Sequence, residues 1–361
     1  MNEEQFIGTI IGCAIGDTLG MPVEGWKKEQ IARYAGRITE PRDPVIVKDK
    51  NGKIVYGDEF GYLKYHTKYM KKGEWTDDTI LTLAIAEAIA ENGLDLEAIA
   101  EYQLKEYKSR IQKDGSVRGG FGRTTIGGFE NMERVRKGAK TGVVGGPGNA
   151  PAMKAGPLGL AAESEEHMID RYDDRRTFLT SDYVKFVEDV AKMTHLDPRS
   201  VRSGVIQANA INNLLDGANK GTFMTNMYLI TMREEKVPKH YSYSSGPSLF
   251  DKIGWVMTHA HVSPNVAHKK LGSSSLVTSS YPFAVFMFQK YWDNPIEGLI
   301  ETVNYGGDCD TTGAIYGALA GAKNGMIFPK EWVDVLYEKE RLINAGKNLW
   351  RQRNEKSIAN L

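Results

Sequence analysis

The sequence predicts an all-α fold, a compact orthogonal helical bundle that carries a small β-hairpin insertion at about residues 41–70. The first observation is that apolar residues recur at three- and four-residue spacing in segments along the chain, the period of an amphipathic helix. The second is that 361 residues, 41% of them hydrophobic, can fill one large core. The third is the lack of any sequence repeat or linker that would split the chain. We therefore expect a single domain over residues 1–361.

The first predicted helix covers the apolar run from Phe6 to Ile15, whose glycines Gly8 and Gly12 are typical of close helix packing. The run lacks the basic start of a signal peptide, and we expect no segment with the roughly 20 apolar residues that cross a bilayer. Lysine plus arginine equals aspartate plus glutamate at 46 each, so no basic excess points to nucleic acid. Two cysteines cannot build a disulfide framework. We expect a cytoplasmic protein with no membrane or nucleic-acid partner.

A β-hairpin is predicted in the segment that follows this helix. The runs 45–47 and 54–56 are rich in β-branched residues, and Asn51-Gly52 between them is a strong short-range hairpin signal. We expect this hairpin to decorate the helical body and to border a cleft close to Trp75.

Two acidic stretches, Trp75–Thr79 and Gly306–Thr312, each stand at the start of a predicted helix. The freer geometry of a helix N-terminus lets neighbouring side chains converge, and the positive end of the helix dipole stabilises ionised carboxylates there. Aspartate and threonine oxygens, with no His or Cys pair nearby, favour Mg²⁺ or Mn²⁺ over Zn²⁺. Both residue types are also ordinary helix caps. The residues alone therefore leave a metal site and simple capping both open.

Two glycine-rich segments, Gly115–Gly128 and Gly142–Gly159, are predicted to be loops. Such loops expose backbone N–H groups that can cradle phosphate oxygens, and Arg118 or Arg123 in the first loop could add charge-assisted hydrogen bonds. An ordinary flexible connection is the other interpretation. The glycines thus permit a phosphate site without requiring one.

The chain resembles the ADP-ribosylglycohydrolase superfamily in five motifs that occur in the family order and span most of its length. The motifs are Gly12–Glu24, Thr76–Thr79, Gly148–Lys154, Thr194–Arg199 and Gly306–Thr312. The third motif departs from the family pattern at two positions. Ala150 replaces the usual glycine, and Lys154 replaces the usual arginine, which keeps the charge but loses the planar fork. The resemblance implies an enzyme that hydrolyses the glycosidic bond of an ADP-ribosyl group.

The same resemblance implies a dinuclear centre of two Mg²⁺ or Mn²⁺ ions, which would position the sugar and stabilise an oxocarbenium-like transition state. One ion is expected at Thr76, Asp77 and Asp78. The other is expected at Asp308 and Thr311, with Asp310 touching both ions.

Further roles are carried over from the family by motif position. Asp310 or Glu24 is expected to take or give the proton, Glu24 also to gate the site, and Asp17 to orient the site or cap a loop. Substrate contacts are expected from Gly122, Gly148, Asn149 and His195, with His195 binding substrate rather than transferring a proton.

The acceptor that is released from ADP-ribose is expected to be recognised at the rim of the cleft. Acidic and aromatic side chains there would suit a cationic guanidinium, and the candidates are Glu24, Asp58, Glu59, Tyr56, Phe60 and Tyr62. We therefore expect an ADP-ribosylated protein, most specifically ADP-ribosyl-arginine, or a small ADP-ribose conjugate as the partner. The alternatives are a serine linkage, O-acetyl-ADP-ribose, a phosphoester substrate, and a non-enzymatic ADP-ribose-binding protein.

Overall fold

A computed structural model of the chain describes residues 1–53, 70–135, 141–162, 164–169, 174–232, 239 and 246–359. These residues are mostly helical, which confirms the predicted all-α class. In chain order the helices are α1 (Glu3–Gly20), α2 (Lys28–Gln30), α3 (Asp77–Asn92), α4 (Leu96–Ser109), α5 (Arg123–Val135), α6 (Ala150–Met153), α7 (Gly156–Leu160), α8 (Ser181–Lys192), α9 (Pro198–Leu215), α10 (Lys220–Thr231), α11 (Leu249–Thr258), α12 (Pro264–Leu271), α13 (Val277–Lys290), α14 (Pro295–Val303), α15 (Cys309–Asn324), α16 (Lys330–Asp334) and α17 (Lys339–Ala359).

Two strands, β1 (Ser164–Ile169) and β2 (Asp174–Leu179), pair antiparallel in a register that runs from Ser164 opposite Leu179 to Ile169 opposite Asp174. Sequence analysis predicted no strand in this part of the chain. The segment is dominated by charged residues and lacks the regular apolar alternation that would mark a half-buried strand. The prediction was that any β-structure would be short and would include the 45–56 hairpin, and the short pair of β1 and β2 is a further element that it did not name.

The predicted turn at Asn51-Gly52 is present. The Gly52 amide donates to the Asp49 carbonyl at 2.9 Å, and the Asp49 amide donates to the Lys53 carbonyl at 2.8 Å. The second half of the predicted hairpin, residues 54–56, lies outside the described residues, so the complete hairpin stays a prediction.

Helix α1 packs antiparallel against α15 along a glycine seam, formed by Gly8, Gly12, Gly16 and Gly20 of α1 and by Gly313, Gly317 and Gly321 of α15. A Cβ atom added to Gly12 would lie 2.1 Å from the Gly317 carbonyl oxygen, and one added to Gly16 would lie 1.9 Å from that of Gly313. The backbones therefore touch with no side chain between them, which confirms the close packing predicted for Gly8 and Gly12.

The seam brings the C-terminal end of α1 to the N-terminal end of α15. A Cβ atom on Gly20 would lie 2.3 Å from the Asp310 nitrogen. Helix α3 also packs against α1, and the Thr76 amide at its start donates to the Asp17 carboxylate at 2.8 Å. One helix C-terminus and two helix N-termini thus meet at a single point.

By length and hydropathy the segment Glu3–Val23 is apolar enough to cross a bilayer, so the expectation that no segment would pass this test was wrong. All of its apolar window is buried inside the protein, as in the core helix of a folded domain. No second helix among the described residues passes the test.

Candidate active site

The first acidic stretch lies at the start of α3, but its side chains do not serve as helix caps. Thr76 is the N-cap residue and makes no capping hydrogen bond with its side chain. Its hydroxyl donates instead to Asp17, at 2.9 Å, and lies 3.1 Å from an oxygen of Asp78. The simple capping interpretation therefore fails for this stretch.

Asp17, from the last turn of α1, is the acceptor that organises the start of α3. Its carboxylate accepts hydrogen bonds from the amides of Thr76 and Thr79 at 2.8 and 3.2 Å, and from their hydroxyls at 2.9 and 2.6 Å. This arrangement has the orienting geometry that sequence analysis predicted for Asp17.

The second acidic stretch lies at the start of α15, where Asp308 is the N-cap residue and also makes no capping bond with its side chain. The Asp308 carboxylate accepts a hydrogen bond from the Asn149 amide at 2.5 Å, and its backbone amide donates to the Ser273 carbonyl at 2.6 Å. Thr311 Oγ donates to Asp78 at 3.2 Å, which links the two helix starts directly. The two stretches therefore form one site.

Two groups of three carboxylates form where the stretches meet. Ligand oxygens of Asp17, Asp78 and Asp310 lie within 4.8 Å of one another, and so do those of Glu24, Asp308 and Asp310. Asp310 belongs to both groups, as expected of a residue placed between two ions. Asp77 belongs to neither group, although it lines the same cavity.

The electrostatics of the first group fit a bound cation. Burial, and then the charges of Asp17, Asp77 and Asp308, raise the pKa of Asp78 well above its usual value. Burial also raises the pKa of Asp17 to about 6, against the effect of its hydrogen bonds from Thr79 and Thr76. Asp78 Oδ1 is buried and makes no hydrogen bond to any described residue. A divalent cation would relieve this crowding and occupy the unsatisfied oxygen.

A cavity of about 670 Å³ opens above the carboxylates. The predicted substrate-binding residues Gly122, Gly148, Asn149 and His195 all line it, as do Glu24 and most of the predicted metal ligands. Thr76 does not line it, because its hydroxyl faces Asp17 behind the carboxylates. Residues separated by nearly 300 positions in sequence therefore share one cavity.

His195 is buried, with only 3% of its surface exposed, and borders Gly148. A Cβ atom on Gly148 would lie 2.7 Å from Nε2 of the ring, so a larger residue there would displace the imidazole. Burial, and then the charge of Lys154, lower the pKa of His195 to about 3. The ring is therefore neutral near pH 7, which suits substrate contact better than proton transfer.

Glu24 is buried on the loop that follows α1, and the next residues of this loop are tied to the second acidic stretch. The Gly25 amide donates to the Gly307 carbonyl at 2.7 Å, and the Gly307 amide donates to the Trp26 carbonyl at 2.7 Å. The Glu24 loop and the Asp308 turn therefore form one hydrogen-bonded unit. The gating role of Glu24 stays a prediction.

Sequence analysis did not identify every residue of the cavity. Ser275 and Leu276 line it from the loop before α13, and their only sequence signal was a run of small residues. Of the two candidate arginines, Arg123 lines the cavity, whereas Arg118 pairs with Glu74 at 2.9 Å. Asp17 was expected to orient the site, and its place in a carboxylate group was not foreseen.

Comparisons with known proteins show which sequences and folds the chain resembles. The chain is 30% identical over 350 residues to an uncharacterised protein of Archaeoglobus fulgidus, with 96% of each chain covered. It is 24% identical to the ADP-ribosylarginine hydrolase Tri1 of Serratia proteamaculans, over 95% of this chain and 78% of that one.

A solved structure described as an ADP-ribosylglycohydrolase-related protein complex has the same fold, with a TM-score of 0.63 and 22% identity, covering 97% of this chain and 98% of that one. Residues 2–358 match the profile of the ADP-ribosylglycohydrolase family. Since that match takes in nearly the whole chain, the protein belongs to the ADP-ribosylglycohydrolase family and is a glycosidic-bond hydrolase.

Proposed function

We propose that this protein uses two divalent cations, Mg²⁺ or Mn²⁺, to hydrolyse the bond between C1″ of ADP-ribose and the side chain of an arginine on a protein. The observation that carries this proposal is the position of Asp310, which belongs to both carboxylate groups at the floor of the cavity. A carboxylate shared in this way suits a centre in which two ions lie side by side.

The chain's oxygen ligands would divide between two ions. Thr76, Asp77 and Asp78 would hold one ion with Asp17 behind them, and Asp308 and Thr311 would hold the other, with Asp310 reaching both. Among the residues that the structure describes, five carboxylates and one arginine line the cavity, an excess of negative charge that two divalent cations would neutralise. When bound, the ions would supply positioning of sugar oxygens and stabilisation of developing charge.

The remaining residues would bind and orient the substrate. Asn149 holds the Asp308 carboxylate from the side of the cavity, at 2.5 Å. The backbone at Gly122 and Gly148 leaves room for a ligand to approach, and His195 would contact the ADP-ribosyl group. Glu24 and Asp310 lie in the same carboxylate group, so either can accept or donate the proton that moves as the bond breaks.

Arginine is the proposed acceptor because Glu24, a cavity-lining carboxylate outside the ligand set proposed for the ions, can face a guanidinium, which is always cationic. Glu24 is the acidic group of the predicted rim that the structure describes; Asp58, Glu59 and the rim aromatics lie outside the described residues. The similarity to Tri1, whose name specifies ADP-ribosylarginine, supports the same choice.

Metal dependence is tested by chelation. We expect EDTA to abolish hydrolysis and an excess of Mg²⁺ or Mn²⁺ to restore it, with the metal content of the restored enzyme measured by mass spectrometry. Full activity in metal-free protein would contradict the dinuclear centre.

The acceptor is tested with two peptides that differ only in an ADP-ribosyl-arginine or an ADP-ribosyl-serine. We expect faster release of ADP-ribose from the arginine peptide, and we expect Glu24→Gln to slow that reaction more than the serine reaction. Preferential cleavage of the serine peptide, or of O-acetyl-ADP-ribose, would contradict the arginine assignment and leave the enzyme class unchanged.

A further inference from the structure

A buried lysine lies behind the cavity, at the end of α6. Lys154 is 1% exposed, and its Nζ atom donates to Gln103 Oε1 at 2.8 Å and lies 3.4 Å from Thr194 Oγ. Among the described residues it forms no ion pair with a carboxylate. Burying an amine in this way is costly unless its N–H groups are satisfied, so the direction of each hydrogen bond around it is constrained.

Gln103 determines the direction of the first hydrogen bond, the one that it forms with Lys154. Its Nε2 group donates to the Ile99 carbonyl and contacts Met193 Sδ, at 3.3 and 3.5 Å, which leaves Oε1 facing the lysine as an acceptor. The Nζ atom of Lys154 also donates to Thr194 Oγ, at 3.4 Å, so the threonine oxygen is an acceptor towards the lysine.

Thr194 then has one proton to donate and two neighbours that can accept it. The Ala191 carbonyl lies 3.5 Å from Oγ and already accepts the backbone amides of Thr194 and His195. Nδ1 of His195 is closer, at 3.0 Å. The shorter contact favours donation from the threonine hydroxyl to the imidazole.

A neutral imidazole that accepts at Nδ1 carries its proton on Nε2. The Nε2 edge is the one that borders Gly148, at the wall of the cavity. The chain of contacts from Gln103 to His195 therefore presents an N–H donor to whatever occupies the cavity.

We propose that Lys154 and Thr194 are positioning residues that hold His195 in the Nε2–H tautomer, so that its ring donates a hydrogen bond to an oxygen of the bound ADP-ribosyl group. The identity of that ligand rests on the proposed function, whereas the tautomer does not.

The tautomer is measured by ¹⁵N NMR on the full chain labelled in its seven histidines, with His195→Gln used to assign the signal. We expect a pyridine-like Nδ1 and a pyrrole-like Nε2 in the wild-type protein, without any ligand. The reverse pattern would overturn the proposal.

Thr194→Val and Thr194→Ser form a matched pair, because valine keeps the shape of threonine and serine keeps the hydroxyl. We expect Thr194→Val to lose the preference for the Nε2–H form and to weaken binding of ADP-ribose roughly tenfold. Thr194→Ser should keep both properties. Equal behaviour of the two variants, at equal thermal stability, would overturn the proposal.

Lys154→Met tests the lysine separately, since methionine has a side chain of similar length and no hydrogen-bond donor. We expect a raised KM with a smaller change in kcat, together with a shift of the His195 signals towards the Nδ1–H form, and unchanged signals would refute the role of Lys154. If ADP-ribose does not bind the wild-type protein while the NMR pattern is as expected, the proposed function fails and the tautomer assignment is upheld.

Discussion

The N-termini of α3 and α15 carry similar acidic stretches but are supported in different ways. At α3 the supporting group is Asp17, a buried carboxylate of the core helix α1, which accepts four hydrogen bonds from Thr76 and Thr79. At α15 the support comes from residues around the cavity. Asn149 holds the Asp308 side chain, and the Glu24 loop is hydrogen-bonded to Gly307.

This difference indicates that the two related stretches are held in place by different parts of the molecule. The threonines of the α3 stretch are bonded to Asp17 of the core helix α1, whereas Asp308 of the α15 stretch is bonded to Asn149, which lines the cavity. A substitution of Thr79 should therefore act mainly on stability, whereas substitutions that displace Asp308 should also act on turnover and binding.

The largest expected effect is a loss of activity on substitution of Asp310, the residue that both carboxylate groups share. Asp310→Asn should lower kcat by roughly 10²- to 10⁴-fold, because it removes a carboxylate from both groups and a candidate for proton transfer. Asp77→Asn should cost less, since Asp77 belongs to neither group. The measurement is kcat at saturating Mn²⁺. Equal losses in the two variants would remove the case for a shared ligand.

The second effect concerns the turn before α15. Gly307 has φ = +72°, and a Cβ atom there would lie 2.3 Å from the Ser273 carbonyl oxygen. Gly307→Ala should lower the free energy of unfolding by roughly 2–5 kcal/mol through backbone strain and steric overlap. It should also lower activity by displacing Asp308.

Gly36→Ala is the matched control for this substitution. Gly36 has a similar φ of +71°, but no atom lies within 4 Å of the added Cβ. Comparing the thermal unfolding of the two variants separates the cost of backbone strain at positive φ from the cost of steric overlap with Ser273. If Gly36→Ala were as damaging as Gly307→Ala, the close approach to Ser273 would be unimportant.

A third prediction concerns the hydrogen bond from Asn149 to Asp308, which links the α15 stretch to the wall of the cavity. Asn149→Ala removes the donor to Asp308 and should raise KM, with a loss of roughly 1.5–3 kcal/mol in kcat/KM, as expected for a hydrogen bond to a charged group. Ser280→Ala removes another partner of Asn149, 3.0 Å away, together with a 3.2 Å hydrogen bond to the Leu276 carbonyl, and leaves the bond from Asn149 to Asp308 in place, so it should have little effect. Steady-state kinetics at fixed Mn²⁺ give the comparison, and a larger loss in Ser280→Ala would contradict it.

The smallest expected effect comes from removing one of the hydrogen bonds that join the start of α3 to Asp17 in the core. Thr79→Val removes the 2.6 Å hydrogen bond to Asp17 and should lower the free energy of unfolding by roughly 1–3 kcal/mol. Thr312→Val is the same chemical change in the first turns of α15, where among the described residues the hydroxyl donates a long bond of 3.4 Å to the Cys309 carbonyl. Urea unfolding should show the larger loss in Thr79→Val. Similar losses would mean that the two helix starts are supported alike.

Much of the site was predictable because its residues lie in short motifs that resemble those of a known family. Both acidic helix starts form where periodicity placed them, and the predicted substrate-binding residues line one cavity. Residue types could not reveal that Thr76 and Asp308 leave their capping positions unused. That outcome depends on Asp17 and Asn149, which reach these helix starts from distant parts of the chain.

Other features depended on contacts that no local pattern records. The strands β1 and β2 carry charged residues without clear alternation, so their pairing had no sequence signal. The contacts from Lys154 to Thr194 join residues 40 positions apart in sequence. Their alignment depends on a contact between the residue that follows α6 and the turn that follows α8.

The glycine seam between α1 and α15 determines how closely the carboxylates within each group approach one another, because each group has members on both sides of the seam. Asp17 is carried by one side of the seam, and Asp308 and Asp310 by the other. A methyl group added at Gly12 would meet the backbone of Gly317 and separate the helices without touching any cavity residue. The distances between the carboxylates are therefore set by backbone contact inside the core. Substitutions at positions that do not contact the ligand can change them.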